Sequence, residues 1–174
     1  MKKLLFIIIL SIVIFAKEVY FMPMQGKKAE NKMFSIFSHA HNTIKILIYS
    51  FTNKKLAKAL KIAAKKGVKI IIIADKKEAK YNKSQIPNLA LIKNIKVYLI
   101  SGKSFRNGDK AKMHVKMSLI DNKILVTGSA NYSYSAFYKN YEYIIIEKDK
   151  NLIPKFNNFF EYILNKAKPF RLSR

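Results

Sequence analysis

The sequence of 174 residues contains no cysteine. Disulfides, zinc–thiolate centres and thiol nucleophiles are thereby excluded. The compartment is not, because exported and cytosolic chains alike can do without cysteine. Acids are the second shortage: 10 Asp and Glu stand against 34 Lys and Arg, a formal net charge of +24. An AT-rich coding bias would favour Lys over Arg but would not deplete Asp and Glu. The imbalance points to a polyanionic partner, a nucleic acid or an anionic membrane surface. The few acids also fail to cluster. Metal-dependent nucleases gather carboxylates around an ion, and no two acids here lie close together in a strand or helix pattern that would do so. Glu147 and Asp149 share a parity, but where a strand is ending. Internal repeats, low-complexity tracts and linkers are also lacking. Half of the residues are hydrophobic, so a single globular domain with a real core is expected.

The N-terminus is set apart from this domain. Lys2 and Lys3 precede an apolar run from Leu4 to Ala16. This is the plan of a secretory signal, and the run is short for a membrane span. Residues 1–16 are therefore expected to be a signal peptide. They would act as a membrane anchor if cleavage after Ala16 is slowed by the bulky Ile14. Residues 17–174 form the expected domain, exported to a periplasmic, secreted or membrane-associated location, with a charge of about +22 once Lys2 and Lys3 are removed.

Beyond the signal, strand and helix patterns alternate. Thr43–Tyr49 (TIKILIY) reads as a strand. Thr52 or Asn53 can cap a helix with Leu56, Leu60 and Ala63 on one face, closing at Lys66 with Gly67 after it. Val68–Ala74 (VKIIIIA) suits a strand buried on both faces. Residues 83–93 read as a weaker helix interrupted by Pro87, Ile95–Ile100 as a strand, and residues 101–112 as a basic loop. Tyr141–Glu147 is a further strand, and Leu152–Ala167 an amphipathic closing helix. Strand–helix–strand order at this spacing predicts an α/β fold with a partly parallel sheet.

Between the basic loop and the last strand runs MHVKMSLIDNKILVTGSAN, residues 113–131. It is apolar and β-branched like a buried hairpin, yet it carries polar groups that are costly to bury. A turn of two residues at Asn122-Lys123 would place Lys116 opposite Ser129 and His114 opposite Asn131, all four on one face. Asp121 and Gly128 would then point away. Asp121 would cap the turn or pair with backbone, and Gly128 would admit a close neighbour. A neutral imidazole can serve as nucleophile or as acid and base. An ammonium and an amide can hold the non-bridging oxygens of a phosphate. Such a set fits phosphoryl transfer on a phosphodiester. Glu142, at the head of the apolar strand YEYIIIE, could orient the imidazole as a triad acid does. His39 and His41 could pass for a metal pair, but residues two apart do not share a helix face, and we read them as surface or helix residues.

His114-x-Lys116, four residues, Asp121, six residues, then Gly128-Ser129-x-Asn131 resembles the HKD signature of the phospholipase D superfamily. The upstream TIKILIYSFTNKKLAKALKIAAKKGVKIIIIAD is similar to the first strand–helix–strand of that superfamily's small bacterial nucleases. The resemblance covers roughly residues 36–166. It implies an α/β/α sandwich with a mixed central sheet and a site built from two such motifs about a two-fold axis. One histidine forms a phosphohistidine, the other protonates the leaving oxygen, and no metal or other cofactor is needed. Carried over, His114 would be nucleophile in one copy and acid–base in the other. Lys116 and Asn131 would hold phosphate oxygens, Ser129 would assist, Glu142 would support the imidazole, and Asp121 would be structural. With one motif per chain, the resemblance implies a homodimer.

The function expected is hydrolysis of DNA or RNA by an exported, metal-independent nuclease. Lys103, Arg106, Lys110 and Lys112 of the basic loop would track the phosphates. Phe105, Tyr132 or Tyr134 could stack bases, though packing in the core or an interface suits the tyrosines better. Two alternatives remain open at this point. One is a phospholipid phosphodiesterase or phosphatidyl transferase, which usually carries both motifs in a longer chain. The other is a non-catalytic nucleic-acid-binding protein in DNA capture.

Overall fold

The computed structural model describes residues 17–171, so the signal segment expected over residues 1–16 lies outside the described residues. The elements run β1 (Glu18–Met22), α1 (Gly26–Ser38), β2 (Thr43–Ile48), α2 (Lys54–Lys65), β3 (Lys69–Asp75), a 3₁₀ turn (Glu78–Lys80), α3 (Ile86–Ala90) and β4 (Ile95–Ile100). They continue with β5 (Lys116–Ile120), β6 (Ile124–Gly128), α4 (Tyr134–Tyr138), β7 (Glu142–Glu147), α5 (Ile153–Leu164) and β8 (Lys168–Pro169). One mixed sheet holds all eight strands in the order β1-β7-β6-β5-β2-β3-β4-β8. Among the described strands only β2–β3 and β3–β4 pair in parallel, each pair joined by a helix-bearing crossover that returns the chain to the same end of the sheet.

The chemistry of each element follows from local sequence. Asn53 caps α2 by accepting from Leu56 N at 2.9 Å, and Gly67 follows the helix at φ +92°. The helix expected over residues 83–93 is only the single turn of α3. Pro87 does not interrupt it but sits in its first turn, where the missing N–H costs nothing. The strand β1 and helix α1 were not foreseen, although Ala29, Met33 and Phe37 recur at four-residue spacing and are all buried in α1.

The sheet separates two apolar layers. Ile44, Ile46 and Ile48 of β2 pack with α1, α2 and α4 on one face. Leu47, Met117, Leu119 and Leu125 pack with Ile153 and Phe160 of α5 on the other. The result is the three-layer α/β/α arrangement, with α5 covering the middle of its face. Among the described residues no helix is long and apolar enough to cross a membrane.

Candidate active site

The hairpin is one residue out of the expected register. Asp121 and Asn122 both take left-handed φ values of 53° and 52°, and Lys123 N donates to Ile120 O at 2.9 Å. Ile120 then pairs with Ile124 and Met117 with Thr127, so the loop holds three residues, 121–123. Asp and Asn accept the left-handed region far more readily than Lys, which moves the turn back by one. Extending this ladder sets Lys116 opposite Gly128 and not Ser129. Side-chain period in a strand is two, so the register argument that united His114, Lys116, Ser129 and Asn131 does not hold.

The tertiary fold places His114 and Asn131 near the end of β2 by another route. After Gly128 the chain leaves β5 and runs beside the end of β2. Ser50 N donates to Asn131 Oδ1 at 3.3 Å, and Tyr132 N donates to Ser50 O at 3.1 Å. From the other side, Tyr49 N donates to Val115 O at 3.1 Å, and the Tyr49 ring lies 4.6 Å from that of His114. Residues 49–50 thus form a common post for His114 and Asn131. With Oδ1 engaged, the Asn131 amide nitrogen is left to donate. Ser129 is held instead to β7: Tyr143 N donates to its Oγ at 3.1 Å, and Ser129 N donates to Tyr143 O at 3.1 Å. Gly128 permits this, since a Cβ there would lie 2.2 Å from Tyr143 O.

His114 is exposed, while Lys116 is only 6% exposed. The Lys116 ammonium lies 2.9 and 3.0 Å from the two ring nitrogens and donates to His114 O at 2.8 Å. Burial of the ring's inner side, then the charges of Lys116 and Lys112, hold the His114 pKa below its ordinary value; Asp75 and Glu142 oppose them. Burial, with Lys112, likewise lowers Lys116 against the pull of Glu142. Glu142 therefore acts on both by charge. It makes no hydrogen bond to His114 within the chain, and its carboxylate meets Asn140 Nδ2 at 3.5 Å.

Asp121 sits in the turn, away from this cluster. It accepts from the backbone of His41, Asn42 and Thr43 at 2.7–2.9 Å, tying the hairpin to the start of β2. Burial raises its pKa, but these three donors outweigh that and leave it lowered. Near it, His39 and His41 are exposed residues following α1.

Asp75 is a residue that the sequence reading missed. It is buried at the end of β3. Its Oδ2 accepts from Met113 N at 3.0 Å, and its Oδ1 accepts from Lys77 N and Glu78 N. The backbone that presents His114 is therefore pinned by a carboxylate. The signal was a lone acid closing a strand that is apolar from Ile70 to Ala74, the same oddity that marked Glu142.

The basic loop is more ordered than expected. Ser104 bridges Lys110, and Phe105 N donates to Asp109 O at 2.7 Å, so residues 102–111 fold back as a finger. A cleft of about 540 Å³ runs beneath it, lined by Phe105, Lys110 and Lys112 together with Tyr49 and Asp75. Lys103 and Arg106 are exposed on the finger outside this lining. Tyr132 is buried against Phe37 and Phe51 and bonded to Ser118, so it cannot stack a base. Tyr134 is exposed and stacks on Tyr138.

The comparisons with known proteins bear on the family and the fold. The family model described as "Cardiolipin synthase, PLD-like domain" matches residues 33–164. The chain is 34% identical to NucT from Helicobacter pylori, covering 90% of this chain and 99% of that one, with a TM-score of 0.86. Nuc from Salmonella typhimurium, described as a phospholipase D family member, shares the fold at a TM-score of 0.74 and 24% identity, over 91% of this chain and 99% of that one. Among curated relatives, the mitochondrial cardiolipin hydrolase of Mus musculus is 26% identical over 77% of this chain and 57% of its own length. That of Homo sapiens is 24% identical over 83% and 54%. The chain spans about half the length of these curated relatives. With the motif, the sheet and the family match in agreement, the chain belongs to the phospholipase D superfamily.

Proposed function

We propose that the chain is an exported, metal-independent phosphodiesterase that hydrolyses nucleic acid at a site shared by two copies. The observation that carries this reading is the buried Lys116 ammonium held against the solvent-facing His114 ring, beside a cleft flanked by Lys110 and Lys112. A lowered pKa keeps the ring neutral and nucleophilic at neutral pH.

In the first step a His114 ring nitrogen attacks phosphorus. The bond from phosphorus to the leaving oxygen breaks, and that oxygen takes a proton from the partner subunit's His114, which enters this step protonated as the imidazolium and leaves it neutral. Water then attacks the phosphohistidine, gives its proton to that second imidazole, and releases the phosphate end with His114 restored. Lys116 and the Asn131 amide nitrogen donate to the non-bridging oxygens in both steps. The charge of +24 and the Lys-bearing finger favour nucleic acid, with Phe105 placed to stack a base.

The test incubates purified protein, in EDTA, with single- and double-stranded DNA, RNA and cardiolipin vesicles, beside His114→Ala. Cleavage of nucleic acid by the wild type alone is expected. Lipid hydrolysis without nucleic-acid cleavage would reverse the substrate choice, and loss of cleavage in EDTA would remove the metal-independent mechanism. Mixing His114→Ala with wild type tests the shared site: heterodimers should be nearly inactive, whereas activity proportional to the wild-type fraction would contradict sharing.

A further inference from the structure

A stacked pair of tyrosines on α4 plays no part in the chemistry above. The rings of Tyr134 and Tyr138 have centroids 4.9 Å apart and planes 29° from parallel. Tyr138 thus covers one face of the Tyr134 ring. Tyr134 is nevertheless 63% exposed, so its other face is open to solvent. Beside the pair is a cleft of about 440 Å³, lined by both tyrosines with Glu30, Thr52, Lys54 and Lys55.

A buried acid holds the pair in place. Glu30 of α1 is 7% exposed. Its Oε2 accepts from Tyr138 OH at 2.8 Å and from Lys55 Nζ at 3.2 Å, and its Oε1 accepts from Asn53 Nδ2 at 2.7 Å. Tyr138 is fixed through its hydroxyl, and Tyr134 rests on the ring of Tyr138. A ring already fixed loses little freedom when a flat ligand stacks on it.

The position of the pair ties it to the active site. Ser133 caps α4 by accepting from Ala136 N at 3.2 Å, so the helix starts close behind Asn131. Thr52 N and Asn53 N donate to Tyr132 O at 2.8 and 2.9 Å, while Asn131 Oδ1 accepts from Ser50 N. The tyrosine pair and the Asn131 amide are therefore anchored to one short stretch, residues 50–53. Tyr49 lines the finger cleft and Thr52 lines the tyrosine cleft, so a cleft opens at each end of the stretch that positions His114 and Asn131. Each cleft joins an exposed aromatic ring to lysines: Phe105 with Lys110 and Lys112 in one, Tyr134 with Lys54 and Lys55 in the other. Lys55 is engaged by Glu30, while Lys54 is exposed. A flat ring beside a free ammonium fits a base and its phosphate. A phospholipid headgroup has the phosphate but no flat face to stack.

We propose that Tyr134, backed by Tyr138, is a stacking subsite for an unstacked nucleobase of the substrate strand, with Lys54 at the adjoining phosphate. A strand crossing the site then meets an aromatic ring in each cleft, Phe105 in one and Tyr134 in the other. In a duplex both faces of a base are covered by its neighbours, so only an unstacked base reaches the ring. The inference deepens the nucleic-acid reading above and rests on it.

The test uses the full chain carrying His114→Ala as the parent, which binds without cutting. The chain has no tryptophan, so Tyr134→Trp introduces a single indole at the subsite. A single-stranded oligonucleotide should quench its fluorescence. A duplex of the same sequence should not, nor should inorganic polyphosphate, a polyanion without bases. In a second readout, anisotropy of a labelled oligonucleotide, Tyr134→Ala should bind about 10- to 100-fold more weakly, the scale of one lost base stack. Tyr134→Phe, which keeps the ring, should bind like the parent. The slope of log affinity against log salt should be the same in all three, since no charge is removed. The Trp and Phe variants retain an aromatic ring, so the test stands whether or not Tyr134→Ala folds as the parent does. Oligonucleotide binding that leaves the indole unquenched, or equal quenching by polyphosphate or duplex, would overturn the subsite. So would a folded Tyr134→Ala that binds as tightly as the parent. Each of these leaves the nucleic-acid reading standing. A parent that binds cardiolipin vesicles and no oligonucleotide would remove that reading and the subsite together.

Discussion

At His114, burial and then two lysines lower the imidazole's affinity for protons, while two carboxylates raise it. The balance favours the neutral ring, so activity limited by the nucleophile should persist below the ~6.5 of a free imidazole and be lost as pH falls through the lowered value. Asp75 bears on this residue twice, through its bond to Met113 N and through its charge. In Asp75→Asn an amide nitrogen would face the Met113 N–H, and the charge would be gone. We expect kcat to fall by about 10- to 100-fold, the scale of a small misplacement of a catalytic group, with KM little changed. The acid limb of the pH–rate profile should move to lower pH, because removing a carboxylate depresses the imidazole further. A fall in kcat with an unmoved acid limb would leave Asp75 a purely structural role. A residue reading of the sequence could name His114, Lys116 and Asn131, since the HKD pattern fixes their identities. It could not pair them, because Asn131 arrives through Ser50 and not across the hairpin.

Among the elements, the β5–β6 hairpin shows how a single turn decides what the strands present. Asp121 holds the turn by three backbone donors. Asp121→Ala should cost about 1–2 kcal/mol, the low end for losing charged hydrogen bonds at a partly exposed site, measured by urea unfolding at pH 7. Its folded pKa is lowered, so its contribution is present above the unfolded value of ~3.9 and disappears as pH falls through the folded one. The stability gap between wild type and variant should therefore narrow below about pH 4. Gly128→Ala tests the next link. A methyl group 2.2 Å from Tyr143 O must push β6 from β7, for about 1–3 kcal/mol of strain, and should displace Ser129 with it. Equal stability of Gly128→Ala and wild type would show that β7 can yield. The order of most elements was legible from periodicity. The turn was not, since Asp-Asn and Asn-Lys both read as plausible loops until Asp121 finds its partners 78 to 80 residues away.

For the molecule as a whole, charge is divided by region. The finger and its cleft carry Lys103, Arg106, Lys110 and Lys112, while the edge at β1 and β7 offers an apolar surface without a cation. If the first surface tracks phosphates, Lys110→Gln with Lys112→Gln should weaken binding of a single-stranded oligonucleotide regardless of sequence. The slope of log affinity against log salt should shrink by about 0.7 per lost contact, read by fluorescence anisotropy on a His114→Ala background that cannot cleave. An unchanged slope would take both lysines out of the binding path.

The sequence by itself determined the strongly basic charge, the exclusion of thiol chemistry, the alternation of strands and helices, and the residues of the HKD motif with their spacing. These are properties of composition and local periodicity, and they need no contact between distant residues. The tertiary structure alone decided the register of the hairpin, the placing of His114 beside Tyr49 and of Asn131 beside Ser50 at the end of β2, and the carboxylate of Asp75 behind Met113. Each of these depends on which face a side chain takes. In a strand one residue of slip reverses that face, and only packing against the rest of the fold chooses between the two.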